Sequence, residues 1–302
     1  MRRREPDARH LIGPALVLIS AVSFGFMPLF SRWAERGGVA LEMKLGLRFL
    51  LGAGILTGLA LKDRLRWPRG RVLGGLVLLG SCVYVAEAYC YFAALSRGTP
   101  SGLVSLLLYM YPVSVTVGAW LLFRERLTPA RGVALGIAMV GLVLTIGPLE
   151  LGGGKGLPGG VVGAALGLAS GIAYAVYMLA SSRLVQAGTA MTSAAVVCWS
   201  AAAVFLAIAA AGRQALPSSF EGVLGVVALG TVSTAVALSC LLAGAARVGP
   251  VSASTLSIVE PVTTVAIGAL LLGERVGALQ VVGGVMILAG AAMVARSGVK
   301  RS

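Results

Sequence analysis

Ten long apolar stretches follow one another along this chain, at 11–33, 40–61, 72–96, 100–123, 130–147, 158–182, 189–211, 220–245, 250–272 and 277–295. A helix needs about 20 mostly apolar residues to cross the roughly 30 Å hydrocarbon core of a bilayer. Each stretch meets that length within a few residues. Turn or charge signals separate them: Gly37-Gly38, 62–71, Thr99-Pro100, Thr128-Pro129, 152–156, Leu216-Pro217 and Gly249-Pro250. The pattern predicts an all-α membrane protein of ten transmembrane helices. Its short connections leave no room for a soluble catalytic or ATPase domain. Composition excludes a soluble globule independently, with 58% apolar and 12% charged residues against about 45–50% and 25% in an ordinary soluble domain.

The net charge of +14 raises the question of nucleic acid, but the basic residues are scattered between apolar blocks and form no patch interleaved with exposed aromatics. They read as topology determinants. Counting alternate connections, seventeen lie on the side of the N-terminus (Arg2 to Arg4, Arg9, Lys62, Arg64, Arg66, Arg69, Arg71, Arg124, Arg126, Arg131, Arg183, Arg247, Arg296, Lys300 and Arg301). Six lie opposite: Arg32, Arg36, Arg97, Lys155, Arg213 and Arg275. That asymmetry predicts that both termini are cytoplasmic. Cys82, Cys90, Cys198 and Cys240 all sit in apolar stretches without Cys-x-x-Cys pairing, and His10 is the single histidine. No metal site, disulfide framework or cofactor is expected from them. The first stretch is too long for the apolar region of a signal peptide and is expected to stay as a helix.

Shifting the chain by about 150 residues lays one half on the other. Ala15, Leu16, Leu18 and Ser20 meet Ala165, Leu166, Leu168 and Ser170; Gly80, Cys90, Ala93, Arg97 and Pro100 meet Gly230, Cys240, Ala243, Arg247 and Pro250. With one residue of slippage, Pro112, Glu125, Arg126 and Gly141 meet Pro261, Glu274, Arg275 and Gly290. The string Pro-x12-Glu-Arg, with Arg-x2-Pro upstream, occurs in both halves, and chance matching of apolar residues does not produce that. Two copies are read, 11–148 and 158–296, each with five spans. Because five is odd, the second copy inserts upside down. Inverted repeats underlie alternating access in many secondary carriers.

On Pro112 to Glu125-Arg126, Pro261 to Glu274-Arg275 and Leu47-Arg48-Phe49 in the second span, the chain resembles the drug/metabolite transporter superfamily, the EamA-type ten-helix permeases. The resemblance runs over about residues 11–296. It implies export of amino acids (aromatic ones included) and related metabolites, with drugs, sugars or nucleotide sugars as the other substrates of the fold. It also implies that the fifth and tenth helices support the bundle from outside. Cys198 replaces Arg48 in the second copy, so that element is not symmetric here.

Charges inside spans need a reason, since each costs a few kcal/mol in hydrocarbon. Glu260 lies mid-span directly before Pro261, where the proline loosens the helix, and suits a binding group or protonation switch. Glu87 lies deep in the third span. Lys44 and Arg48, four apart on one face of the second, are its potential ion-pair partners; substrate contact is the equal alternative, with Arg48 suited to a bidentate carboxylate contact. Tyr84, Tyr109, Tyr111, Tyr174, Phe24 and Trp199 lie within spans, individually packing residues, together a plausible lining for an amphipathic solute. Pro112 and Pro261 are the expected hinges. Gly159, Gly163, Gly167 and Gly171, and Gly132 with Gly136, read as close-packing faces. Glu125-Arg126 and Glu274-Arg275 read as turn anchors, and 152–156 as a linker that fails the phosphate-loop pattern.

The sequence therefore points to a secondary transporter of small organic metabolites in a bacterial inner membrane. Its partners are a small-molecule substrate and the lipid bilayer, not nucleic acid, and it is read as a monomer or weak homodimer. An intramembrane enzyme is disfavoured because the spans hold no histidine, paired aspartate or nucleophile turn, so no catalytic residue is assigned. A channel is disfavoured because no filter motif repeats.

Overall fold

The computed structural model describes residues 9–97, 99, 104, 107–124, 128–146, 160–272 and 277–298. Among the described residues there is no strand, as lipid demands: a spanning segment must satisfy its own peptide groups, and the helix does so within one segment. The first span is Arg9–Gly25 continued by Met27–Arg36, and the second is Leu41–Lys62. The third runs Gly70–Leu78, Leu79–Tyr84 and Val85–Ser96. The fourth is described as a helix over Tyr111–Phe123, and the fifth is Pro129–Ile146. Gly160–Leu184 is the sixth, Ala190–Ala211 the seventh, and Phe220–Gly230, Thr231–Val236 and Ala237–Val248 make the eighth. Pro250–Ser257 and Glu260–Leu272 form the ninth, and Ala278–Gly298 the tenth. Among the described residues, seven helices are long and apolar enough to cross a membrane, and the fourth, fifth and tenth positions hold shorter apolar helices, Tyr111–Phe123, Pro129–Leu144 and Val281–Val294.

The second and fifth helices of the first copy lie beside their counterparts in the second and run in opposite directions to them. Along the second span, Met43, Phe49 and Thr57 meet Gln214, Phe205 and Trp199, descending along and just beyond the seventh. Along the fifth, Ala134, Ala138 and Gly141 meet Gly290, Gly290 and Gly283 of the tenth. The first span packs antiparallel on the eighth, Gly13 against Val248 and Val17 against Gly244. The third packs the same way on the sixth, Gly75 against Leu184 and Tyr84 against Tyr177. Exchanging the copies turns the first pair into the second. That is the signature of a pseudo-two-fold axis in the membrane plane, and the fold is two inverted five-helix repeats.

Close approach rests on small residues. Without a hydrophobic drive between helices in lipid, dispersion contacts and side-chain hydrogen bonds hold the bundle, and glycine lets backbones meet. Gly163, Gly167 and Gly171 pack on Thr99, Leu107 and Leu108, so this face of the sixth span is used inside the chain. Gly132 and Gly136 meet open space; the fifth span turns that face outward instead of into a helix contact. Outward-facing side chains such as Leu122, Val161 and Leu270 suit contact with lipid.

Of three departures from plain helices, the first two were not visible beforehand, while the third falls at the two expected hinges. The first span is broken at Phe26, ahead of Met27-Pro28. Side chains of the second copy take up the carbonyls there: Thr264 Oγ1 donates to Gly25 at 3.2 Å, and Ser233 Oγ to Ser23 at 2.9 Å. The third and eighth spans each carry a turn of π-helix, Leu79–Tyr84 and Thr231–Val236, at near-equivalent places in the two copies. The fourth and ninth turn at Tyr109-Met110 and Ile258-Val259, just before the residue that precedes each shared proline. Glu125-Arg126, Glu274-Arg275 and the 152–156 linker lie outside the described residues.

Gly225 marks a tight crossing of the first and eighth spans: a Cβ there would fall 2.4 Å from the Ala34 backbone nitrogen. Gly225→Ala is expected to cost about 1–3 kcal/mol by overpacking, lowering the thermal unfolding midpoint in detergent. Gly132→Ala, with nothing within 4 Å, is expected to hold or raise it. Equal midpoints for the two variants would contradict this packing.

Candidate substrate site

The second, third, fourth, sixth and seventh spans bring seven aromatic rings into one chain of contacts. Phe205 stacks on Phe49 at 6.0 Å, and Phe49 meets Tyr84 edge-on at 5.6 Å. Tyr84 lies 4.8 Å from Tyr177, which stacks on Tyr174 at 6.2 Å. Tyr174 meets Tyr111 at 4.7 Å, and Tyr111 reaches Tyr109 at 6.2 Å. The sequence-predicted rings Tyr84, Tyr109, Tyr111 and Tyr174 are thus one continuous surface. Phe24 is buried in the same core on the first span. Trp199 is not part of the cluster: it is 45% exposed and its indole donates to Thr57 at 3.0 Å.

Arg48 projects from the second span to the base of this surface. Its guanidinium carbon stands 4.8 Å from the Phe49 ring centroid, a cation–π arrangement. Nε donates to Thr234 Oγ1 at 2.9 Å, and Nη1 to the Met27 thioether at 2.9 Å. Thr234 belongs to the π-turn of the eighth span and Met27 opens the second half of the broken first span. Arg48 therefore reads both irregularities of the backbone at once. Among the described residues no carboxylate pairs with it at contact distance.

The Glu87 and Glu260 carboxylates lie within electrostatic reach of Arg48 and of each other. The Tyr109 hydroxyl lies beside the Glu260 carboxyl group, while the Tyr111 hydroxyl reaches the Ser254 carbonyl at 3.4 Å. Both glutamates are enclosed by the bundle yet keep accessible surface. An inward-facing residue with accessible surface lines an internal hollow. Pro112 and Pro261 are buried in the first turns of Tyr111–Phe123 and Glu260–Leu272, directly after the two turns.

Lys44 goes elsewhere. Its ammonium pairs with Glu35 of the first span at 2.5 Å and donates to Ser31 at 2.7 Å. The choice of partner open in the sequence thus resolves to Glu35 for Lys44, with Glu87 left facing Arg48 across the hollow. Beside this pair, Gln214 bridges the copies, donating to Glu42 at 2.6 Å and accepting from the Met43 backbone at 3.0 Å. Sequence reasoning missed Thr234, Met27 and Glu35. The first two are ordinary residues for a span, and Glu35 sits at a span end, where charge carries no signal.

Comparison with known proteins agrees with this architecture. The model of the family described as EamA-like transporters matches residues 11–147 and again 161–296. Bacillus subtilis uncharacterized transporter YcbK is 29% identical over 90% of this chain and 88% of its own. An uncharacterized transporter of Archaeoglobus fulgidus is 29% identical over 92% of this chain and 94% of its own. One solved crystal structure, 21% identical, superposes with a TM-score of 0.76 over 96% of this chain and 98% of its own, which shows the fold.

The Lys44–Glu35 pair is lopsided, with side-chain exposures of 2% and 55%. Glu35→Gln strands a buried ammonium and is expected to cost about 1–3 kcal/mol. Adding Lys44→Met should recover much of that loss in thermal unfolding. A double variant no more stable than Glu35→Gln would mean that the pair does not hold this end together.

Proposed function

Because this chain belongs to the EamA-like transporter family, we propose that it exports small organic metabolites, amino acids foremost, by alternating access. The observation that carries this is the meeting of Arg48, Glu87 and Glu260 beside an unbroken tyrosine surface between two inverted copies. A guanidinium is the group of choice for a planar carboxylate, and a carboxylate such as Glu260 receives an ammonium. Tyrosine faces take an apolar or aromatic side chain. Opposite charges within one hollow suit a zwitterion better than an uncharged solute.

Movement in this reading comes from the copies 11–148 and 158–296 rocking about the axis that relates them. The chain yields at the turns before Pro112 and Pro261, where the helix is already interrupted. A solute or ion gradient supplies the energy. The membrane is the bacterial inner one, with both termini in the cytoplasm, on the strength of seventeen basic residues against six.

Counterflow in proteoliposomes tests the carrier reading, loading unlabelled amino acids one at a time against a labelled one. Wild type should show saturable exchange with a ranked preference. Glu260→Gln, Glu87→Gln and Arg48→Lys are each expected to reduce it about tenfold or more, since each loses a charge-assisted contact of roughly 1.5–3 kcal/mol. Absence of exchange for every amino acid, in folded protein, would remove amino acids as substrates and direct attention to drugs or nucleotide sugars. Orientation is read separately: a green fluorescent protein fused at either terminus should fluoresce, and alkaline phosphatase at the same places should stay inactive. Active phosphatase at either end would reverse the assignment.

A further inference from the structure

The hollow holds an unbalanced set of charges. Among the described residues Glu87 and Glu260 face a single base, Arg48. The other base of the second span, Lys44, lies one helical turn away and is paired with Glu35. The repeat does not restore the balance: Cys198 takes the place of Arg48, Ala237 that of Glu87 and Tyr111 that of Glu260. Every ionisable group of the site is thus present in one copy only, two carboxyl groups beside one guanidinium.

The donors and acceptors are unequal in the same sense. Two guanidinium nitrogens, Nε and Nη1, are already engaged by Thr234 and Met27, so Arg48 has reduced capacity for an incoming carboxylate. Glu87 accepts no hydrogen bond among the described residues, and Glu260 has the Tyr109 hydroxyl beside it. Tyr111 and Tyr174, set edge to face at 4.7 Å, add ring faces, which attract an ammonium group and not an anion. Enclosed carboxyl groups are costly to ionise unless a cation matches them.

Resting on the carrier reading above, we infer that the preferred solute carries more protonated amine than carboxylate. Cationic amino acids and aromatic amines fit the site better than neutral or acidic amino acids. The ammonium group sits between Glu87 and Glu260, and any carboxylate of the solute turns toward Arg48.

Binding to the purified full-length protein, by titration calorimetry at neutral pH, tests this with two series that vary charge at constant shape. Phenethylamine, phenylalanine and phenylpropionate form one; lysine, leucine and glutamate the other. Wild type should bind phenethylamine over phenylalanine, and lysine over leucine, by about tenfold or more, with the anionic member weakest. Glu87→Gln should narrow both gaps. If that variant does not fold, the wild-type order alone decides. Phenylalanine or leucine binding as tightly as the cation overturns the inference and leaves an amino-acid carrier. Tightest binding of phenylpropionate, glutamate or a nucleotide sugar overturns it as well. If no member of either series binds to folded wild type, the amino-acid reading falls together with this one.

Discussion

Hydrocarbon offers a peptide group nothing to bond to, and an unsatisfied one costs several kcal/mol. The places where this chain gives up regular helix are therefore informative. They are the break at Phe26, the two π-turns and the turns before Tyr111 and Glu260. These irregularities are tolerated only where neighbouring helices stand close enough to answer for the lost bonds. Thr264 and Ser233 do so for the carbonyls of Gly25 and Ser23. Both come from the second copy and serve the first, so the irregular backbone that shapes the hollow also binds the two halves together.

Arg48 follows from the same constraint. A guanidinium deep in a span has to be held, and Thr234 of a π-turn and Met27 of a helix break hold it. The π-turn adds a residue to its helix and changes which side chains face inward, a common device at functional positions. The hydrogen bond to Thr234 therefore depends on that turn, which links one local backbone irregularity to the placement of a base near two glutamates.

Much of this was open to a reader of the sequence. Apolar length gave the spans, because lipid thickness allows little variation. The offset of about 150 residues gave the repeat, since Pro-x12-Glu-Arg cannot recur by apolar drift. Charged residues in apolar surroundings flagged Arg48, Glu87 and Glu260. What stayed hidden depends on contacts between distant segments. Lys44 and Arg48, four apart on one helix, look equivalent as partners for Glu87, yet Glu35 lies beside one of them and not the other. Trp199 reads like the other in-span aromatics until the rotation of the seventh helix turns it outward to Thr57. The π-turns carry no residue signal, being a matter of one additional residue per turn.

The interrupted first span has a partner that is not interrupted: the sixth, its counterpart in the second copy, is one helix from Gly160 to Leu184. An ideally inverted pair would give two end states of equal energy, each the mirror of the other. Here the exchange of roles sets a jointed helix against a continuous one, so a carrier alternating as proposed would, when empty, divide its time unevenly between facing in and facing out. Detailed balance forbids this from altering the final distribution of a passively moved solute. It would make such a carrier a kinetic rectifier, with half-saturation concentrations that differ on the two faces of the membrane.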